Sequence, residues 1–216
     1  MEATIVFLDL VRFTSLTDVH GDLAGADAAG DLAGAATDSL LPGVRLVKTL
    51  GDGILLCAPD PETGLRVALS VMEKVHHLGR GLDLRGGAAH GPVVERDGDV
   101  FGTTVNLAAR AAALTSPGSF AVTRPVALAA GRVGLGAEPL GRLDLRGFAE
   151  SVELFEIDAC DHDGEWITDP VCGMRLDPED VTEWIGAEEN RVGFCSADCV
   201  ATYASMPDRF GGRTGD

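Results

Sequence analysis

Two carboxylates in the first quarter of the chain have the residue type and the setting of metal ligands. Asp9 ends an apolar stretch, and Asp52 lies between two glycines that separate two further apolar runs. Paired carboxylates without a neighbouring His or Cys suit a hard cation such as Mg²⁺, which can also bind phosphate oxygens. Simpler interpretations are a strand-end carboxylate facing water for Asp9 and an ordinary Asp-Gly hairpin turn for Asp52.

A second polar set lies in the segment from residue 99 to residue 110. Asn106 and Arg110 are four residues apart, so in a helix they share one face. Arg110 offers a planar fork for phosphate oxygens, and Asn106 can hydrogen-bond a sugar. A plain surface stripe remains the alternative for any such pair taken singly.

Cysteines form the third set, and most of them lie near the C-terminal end: Cys57, Cys160, Cys172, Cys195 and Cys199. Cys195 and Cys199 would point the same way on a helix, and Cys172 is followed two residues later by the thioether of Met174. Three thiolates and a thioether favour Zn²⁺ or Cu⁺. The alternative is a small apolar core with buried thiols. A module of about 50 residues usually needs a staple, which favours the metal. Cys57 is expected in the core, and Cys160 as a free thiol in a linker.

Strands and helices must hold these groups. Gly51 and Asp52 between apolar runs predict two antiparallel strands joined by a tight hairpin turn. Apolar spacing, glycines and prolines predict strands at 4–8, 82–90, 93–95, 119–123, 143–145 and 152–157, a turn at 97–99, and helices at 62–77 and 103–114, with one or two helices in 15–41. This order predicts an α+β fold with a mainly antiparallel, ferredoxin-like sheet and helices on one face.

Charge limits the partners. The 216 residues carry a net charge of −17, from 34 acidic and 17 basic residues. This balance argues against binding nucleic acid or an anionic membrane, and no segment approaches the roughly 20 apolar residues of a membrane span.

The first strand begins so close to Met1 that we expect no signal peptide, and an odd number of cysteines then predicts reduced thiols in the cytoplasm. An acidic stretch predicts a linker at 158–166 between a domain at 1–157 and a module at 167–213.

Six short motifs in the first domain resemble the catalytic domain of class III nucleotidyl cyclases: FLDLVRFT at 7–14, VKTLGDG at 47–53, DVFG at 99–102, VNLAAR at 105–110, LDLRGF at 143–148 and VELF at 152–155. The resemblance implies the nucleotidyl cyclase fold. It also implies pairs of functional residues: Asp9 and Asp52 for two Mg²⁺ or Mn²⁺ ions, Lys48 and Asp99 for the base, Asn106 and Arg110 for the transition state. In this family the site is shared across a head-to-tail homodimer, with the metal carboxylates from one subunit and the other four residues from its partner. Arg12 stands where the family usually has glycine.

The base-reading pair favours ATP. A lysine at position 48 can donate to N1 of adenine, and an aspartate at position 99 can accept from the 6-amino group. Guanine presents the reverse pattern and would require an acceptor at position 48. The resemblance therefore implies an adenylate cyclase that converts ATP to cyclic AMP and pyrophosphate. The alternative is a weak or inactive pseudocyclase that binds a nucleotide or a partner protein.

The C-terminal module resembles YHS-type metal-binding domains. The resemblance rests on DPVCGM at 169–174, FCSADC at 194–199, Tyr203 and PDRF at 207–210. The Tyr-His-Ser element that names this family is not in the stretch, so it supplies no histidine ligand. His162 in the linker is the nearest histidine, and we assign no partner to the others, His20, His76, His77 and His90. Fusion to a cyclase-like domain suggests that metal or redox state at this module modulates the enzyme.

Overall fold

The structure is a computed structural model that describes residues 1–78, 81–159, 166–187 and 190–210. Most of the predicted linker, including Cys160 and His162, lies outside the described residues, as does the end of the predicted module at 211–213.

Thirteen strands and six helices are found in the described residues. The strands are β1 (Glu2–Leu10), β2 (Arg45–Leu50), β3 (Gly53–Ala58), β4 (Leu84–Pro92), β5 (Val94–Arg96), β6 (Asp99–Phe101), β7 (Ser119–Thr123), β8 (Glu138–Leu143), β9 (Val152–Asp158), β10 (Ile167–Thr168), β11 (Arg175–Leu176), β12 (Glu183–Ile185) and β13 (Val192–Phe194). The helices are α1 (Phe13–Thr37), α2 (Pro61–His76), α3 (Thr103–Ala112), α4 (Arg124–Ala130), α5 (Ala197–Ser205) and α6 (Pro207–Phe210). None of the described helices combines the length and the apolar character needed to cross a membrane.

Seven strands form the central sheet in the order β2-β3-β1-β4-β7-β9-β8. Only the pairing of β4 with β7 is parallel among the neighbouring pairs in this described sheet. The pairs β5-β6, β10-β11 and β12-β13 form separate two-stranded sheets. The α+β fold with a mainly antiparallel sheet is therefore confirmed, and so is the hairpin, in which Leu50 pairs with Gly53 across a two-residue turn.

The prediction that the helices share one face of the sheet is wrong. Val6 and Leu8 of β1 belong to a core formed with α1, α2 and α4, whereas Ile5 packs on the other face with Ala108 of α3. The physical reason is that β1 is apolar on both faces and needs cover on both. At Gly87 of β4, an added Cβ would collide with the backbone of α3, so this helix lies directly on the strand.

Element boundaries show where local signals were clear. Asp60 caps α2 by accepting from the backbone N of Thr63 at 2.9 Å, and Pro61 occupies the first turn. Helix α1 is bent at Gly21, where φ is 84°, which explains why the segment could be interpreted as one helix or two. Helix α4 was not predicted because it is short. The predicted strand at 143–145 is wrong beyond its first residue: β8 ends at Leu143 and begins at Glu138, since its proline and glycine are tolerated at the sheet edge.

The described C-terminal segment packs against the beginning of α1. Strands β10 and β11 flank a loop at 169–174, and α5 begins at the cap Ser196. Arg175 pairs with Asp83 at 3.1 Å, and Arg12 donates to the carbonyl of Pro170 at 3.2 Å. These contacts join the segment to the end of β1 and the start of β4.

Candidate active site and cysteine cluster

The two predicted metal carboxylates lie at the same edge of the sheet. Asp9 pairs with Gly53 across β1 and β3, and the backbone N of Leu10 donates to the carbonyl of Asp52 at 2.9 Å. Asp9 Oδ1 lies 3.2 Å from the place a Cβ would take at Gly53, so the carboxylate rests over the hairpin. The antiparallel register of these two strands brings the carboxylates together.

Arg85 is a member of this site that the sequence did not reveal. It faces Asp9 across β1 and β4 and donates to Asp9 Oδ2 from Nη2 at 3.0 Å and from Nε at 3.3 Å. Burial raises the pKa of Asp9, the hydrogen bond from Arg85 opposes this effect, and the negative charge of Asp52 adds to it. Folding therefore disfavours the ionised form of Asp9, although Arg85 donates hydrogen bonds to it.

The donor set at this edge fits Mg²⁺ or Mn²⁺. Both ligands are carboxylates, the oxygen donors that such hard cations prefer. Within the described part of the chain, no hydrogen bond is found for the carboxylate of Asp52, and Asp9 is half-buried beside it. Two like charges at one half-buried edge are stabilised by a bound cation.

Lys48 and Asp99 form a close ion pair, with 2.6 Å between Lys48 Nζ and Asp99 Oδ2. A β-bulge between Leu46 and Lys48 places both Val47 and Lys48 on the face that α3 covers. Asp99 Oδ1 accepts from the backbone N of Val100 at 2.8 Å, and the hydrogen bond from Lys48 lowers the pKa of Asp99. Asp99 begins β6, whereas the sequence placed it in the preceding turn.

Asn106 and Arg110 are both exposed on α3. The opposite side of that helix packs on Gly87 and presents the buried Ala108 to the sheet. Among the described residues, neither side chain has a hydrogen bond to the carboxylate edge or to the Lys48–Asp99 pair. Within the described residues, Asn106 and Arg110 are thus not hydrogen-bonded to the other predicted site residues.

The three predicted thiol ligands lie together, and a fourth ligand joins them. Cys195 Sγ is 3.5 Å from Cys172 Sγ, 3.5 Å from Cys199 Sγ and 3.5 Å from Nε2 of His20. His20 comes from α1, 175 residues away in the sequence. The expectation that His20 has no partner is therefore wrong. Met174 packs among apolar side chains, and Cys57 is buried in the core as predicted.

Asp169 organises the cysteine cluster from a fully buried position. One of its oxygens accepts from the backbone N of Val171 at 2.8 Å and of Cys172 at 3.3 Å, and the other accepts from that of Cys195 at 2.9 Å. Burial raises the pKa of Asp169, although these backbone donors oppose the effect. Hydrogen bonds from Cys172 and Cys199 lower the pKa of Cys195.

Comparisons with known proteins agree with this geometry. Residues 1–159 match the model of the adenylate and guanylate cyclase catalytic domain. The chain is 37% identical over 165 residues to the pH-sensitive adenylate cyclase MT1302 of Mycobacterium tuberculosis, a match that covers 72% of this chain and 40% of that protein. It is 44% identical over 109 residues to an adenylate cyclase of Streptomyces coelicolor, covering 48% of this chain and 28% of the relative.

The fold also resembles solved cyclase structures. The crystal structure of the adenylyl cyclase CyaB from P. aeruginosa superposes with a TM-score of 0.63 at 17% identity, and the match covers 75% of this chain and 96% of that one. The chain spans less than half the length of the two curated relatives described above. The family model matches nearly three quarters of the residues of this chain. The chain therefore belongs to the adenylate and guanylate cyclase catalytic domain family.

Proposed function

We propose that residues 1–157 form an adenylate cyclase that converts ATP to cyclic AMP and pyrophosphate at the interface of a homodimer. The observation that carries the proposal is the meeting of Asp9 and Asp52 at one sheet edge, in a chain of the cyclase family. Relatives named adenylate cyclase support ATP as the substrate.

Lys48 and Asp99 select adenine in this proposal. Their ion pair holds a donor beside an acceptor, and adenine presents an acceptor at N1 beside a donor at its 6-amino group. The lysine ammonium has further N–H groups, and the carboxylate has further lone pairs, so both can bind the base while they remain paired. Guanine would meet the wrong group at both positions.

The reaction is attack of the ribose 3′-hydroxyl on the α-phosphorus, with pyrophosphate as the leaving group. Asp9 and Asp52 would hold the divalent metal ions, which when bound supply Lewis-acid stabilisation of phosphate charge. Arg110 offers a bidentate fork to the phosphate oxygens, where negative charge develops, and Asn106 orients the ribose by hydrogen bonding. The exposure of both side chains on α3 leaves them free to bind these groups.

A homodimer supplies both halves of each site. The exposed Asn106 and Arg110 are not hydrogen-bonded to the carboxylate edge of their own chain, which supports a site shared with a second copy. With one subunit contributing Asp9 and Asp52 and the other contributing the remaining residues, two sites form, and a monomer is inactive.

We also propose that residues 158–166 are a linker and that residues 167–213 are a YHS-type module. Its three cysteines bind Zn²⁺ or Cu⁺, and metal or redox state there modulates the cyclase. The proximity of the three sulfur atoms supports this role. A cytoplasmic location, where thiols stay reduced, remains a prediction from the sequence.

Incubation of the full chain with ATP and Mn²⁺, followed by chromatographic detection of cyclic AMP, tests the proposed activity. Asp9→Ala should abolish the product, whereas Glu73→Ala, an exposed carboxylate on α2, should leave it unchanged. If the wild-type protein forms no cyclic AMP but binds ATP in calorimetry, the chain is a pseudocyclase.

A further inference from the structure

Four side chains with metal-binding atoms converge where α1 meets the C-terminal segment. The imidazole of His20 and the thiols of Cys172, Cys195 and Cys199 place their ligand atoms within 4.8 Å of one another. Cys172 and Cys199 are almost fully buried, and Cys195 and His20 are half-buried. The four described side chains therefore enclose a space that is closed on one side and reachable from the other.

Four of the six distances between these ligand atoms fit a tetrahedral zinc centre, and the other two, from Cys172 to Cys199 and to His20, are within 4.8 Å. Bonds of about 2.3 Å to sulfur and about 2.1 Å to nitrogen put the ligand atoms of a tetrahedron roughly 3.5–3.8 Å apart. The Cys195 sulfur is 3.5 Å from the Cys172 and Cys199 sulfurs and from His20 Nε2, and Cys199 Sγ is 3.7 Å from the same nitrogen. A disulfide needs about 2.05 Å between two sulfurs, and the described cysteines are free.

The geometry points to a Cys₃His zinc site in which His20 of the catalytic domain completes the ligand set of the C-terminal module. Zn²⁺ is favoured over Cu⁺ because a single tetrahedral ion can take all four ligands, including the imidazole. The inference rests on the metal-binding role proposed above for the three cysteines, to which it adds a fourth ligand from α1, and it is independent of the cyclase activity because binding of zinc requires neither a nucleotide nor a dimer.

Local structure prepares each ligand for this role. Gly21 follows His20 with a φ of 84° and bends α1, so the histidine sits at the end of the first helical segment. Ser196 caps α5 by accepting from the backbone N of Cys199 at 3.2 Å. The carboxylate of Asp169 holds the backbone on both sides of the cluster, at Cys172 and Cys195. Such outer hydrogen bonds orient ligands before the metal arrives.

An approach to the site is present beside the half-buried ligands. A groove of about 460 Å³ is lined by His20, Cys195, Ser196 and Met174, together with Asp27, Leu82 and apolar residues of α1. Zinc can thus reach the exposed side of Cys195 and His20 before it contacts the buried thiols. Once bound, the ion ties α1 to two separate segments of the module.

Zinc titration of the full, reduced chain tests the site, with affinity measured by competition with a chelator. We expect one tightly bound zinc per chain and a loss of affinity of about tenfold or more in His20→Ala. His77→Ala is the matched control, because this exposed histidine lies away from the cluster, and its affinity should equal that of the wild type. His20→Cys should retain tight binding, since the fourth position again holds a zinc ligand.

Cobalt gives a readout that separates ligand loss from misfolding. Co²⁺ bound to thiolates shows a sulfur-to-metal charge-transfer band, which ions at the carboxylate edge do not produce. The band should be stronger in His20→Cys than in the wild type, because a fourth thiolate replaces the imidazole. Equal zinc affinity in His20→Ala and the wild type would overturn the assignment of His20. A wild-type protein that forms a Cys172–Cys195 disulfide and binds no zinc when reduced would overturn the site.

Discussion

Arg85 and Asp9 stand opposite each other on neighbouring strands, and the guanidinium donates twice to one carboxylate oxygen. The second oxygen of Asp9 lies over the hairpin that carries Asp52. The pKa of Asp9 is nevertheless raised above its ordinary value, because burial and the charge of Asp52 outweigh the cation. The charge of Asp9 at this edge of the sheet therefore lowers the stability of the folded protein at neutral pH.

We expect Asp9→Asn to raise the free energy of unfolding at neutral pH. The pKa of Asp9 in the folded protein lies above its ordinary value of 3.8. At a pH between these two pKa values, the folded state therefore binds more protons at Asp9 than the unfolded state does. Stability contributed at Asp9 is thus present at low pH and is lost as pH rises through the folded pKa. Urea unfolding of both proteins at pH 4 and pH 7 measures this, and the gain from the substitution should appear at pH 7 and shrink at pH 4.

Asp60→Asn is the control for this pH effect. Hydrogen bonds from Thr63 lower the pKa of Asp60, so the charged form of Asp60 stabilises the fold at a pH above its ordinary pKa. The effect of the substitution on unfolding free energy at pH 7 should therefore have the opposite sign to that of Asp9→Asn. A lower stability of Asp9→Asn than of the wild type at pH 7 would show that the pairing with Arg85 dominates. Added Mg²⁺ should stabilise the wild type and have less effect on Asp9→Asn.

A mixed dimer of two inactive variants should recover activity. Asp9→Ala removes a metal ligand, and Arg110→Ala removes the phosphate fork, so each homodimer is inactive at both sites. In a mixed dimer, one site receives both defects and the other receives neither. An equal mixture should recover about a quarter of wild-type activity, because half of the dimers are mixed and each has one intact site.

Cyclic AMP formation at a series of mixing ratios measures this recovery. The mixture of Asp9→Ala with Asp52→Ala is the control, since both defects lie in the same half of the site and no intact site can form. Activity in that control, or none in the first mixture after subunit exchange, would contradict the shared site.

Substrate choice should follow the donor and acceptor order at the base. The double substitution Lys48→Glu and Asp99→Asn places an acceptor at the first position and a donor at the second, the pattern that guanine requires. We expect kcat/KM for ATP to fall about 100-fold or more and activity with GTP to appear, since a carboxylate at position 48 cannot donate to N1 of adenine, whereas an amide at position 99 can donate to the guanine carbonyl oxygen.

The single substitution Lys48→Glu is the informative comparison. It places two carboxylates side by side in place of a 2.6 Å ion pair, and the repulsion should lower activity with both nucleotides. Unchanged preference for ATP in the double variant would contradict the assignment of Lys48 and Asp99 to the base.

Local patterns predicted the parts of the fold that depend on local chemistry. The hairpin at Gly51–Asp52, the strand that ends near Asp9 and the helix that carries Asn106 have signals within a few residues of sequence. The hairpin fixes the register of β2 with β3, whereas the placement of Asp9 beside Asp52 depends on the separate pairing of β1 with β3. The side of the sheet covered by α3 could not be predicted, because it depends on the bare backbone at Gly87 of another element.

Contacts between residues far apart in the sequence could not be predicted either, because they also depend on how separate elements pack. Arg85 meets Asp9 only through the pairing of β1 and β4, and His20 meets Cys195 and Cys199 across 175 residues or more. The one sequence signal was that the predicted metal site had three thiols and a thioether, that of Met174, but no nitrogen ligand beside them. The sequence contains five histidines, and nothing local distinguishes His20 from the others.

Gly87→Ala should damage both stability and catalysis. The new methyl group would collide with the backbone of Ala108 and Ala112, so α3 must shift away from the sheet. We expect a loss of about 1–3 kcal/mol in unfolding free energy, typical of overpacking, and a lower kcat because α3 carries Asn106 and Arg110. Gly30→Ala on α1 has open space around it and should raise stability by about 0.5–1 kcal/mol. Equal stabilities of the two variants would contradict the close contact of α3 with β4.

Zinc at the cysteine cluster should alter the metal dependence of the cyclase. The module contacts Arg12, three residues after Asp9, and Asp83, two residues before Arg85. Arg12 has a left-handed φ of 56°, and its side chain packs on Gly173, next to Cys172. Occupancy of the cluster therefore fixes the loop on both sides of the Asp9–Arg85 pair, which we expect to lower the Mn²⁺ concentration needed for half-maximal activity.

Assays of zinc-loaded and zinc-free protein over a range of Mn²⁺ concentrations measure this effect. His20→Ala should behave like the zinc-free protein, and His77→Ala like the wild type. Arg12→Ala separates binding from transmission, because Arg12 is not a zinc ligand: zinc affinity should be kept while the shift in Mn²⁺ dependence is reduced. Identical Mn²⁺ curves with and without zinc would show that the cluster holds the module in place without reaching the carboxylates. A shift that persists in Arg12→Ala would assign the transmission to the contacts of Arg175, which forms an ion pair with Asp83 and donates its backbone N–H to the carbonyl of Gly81.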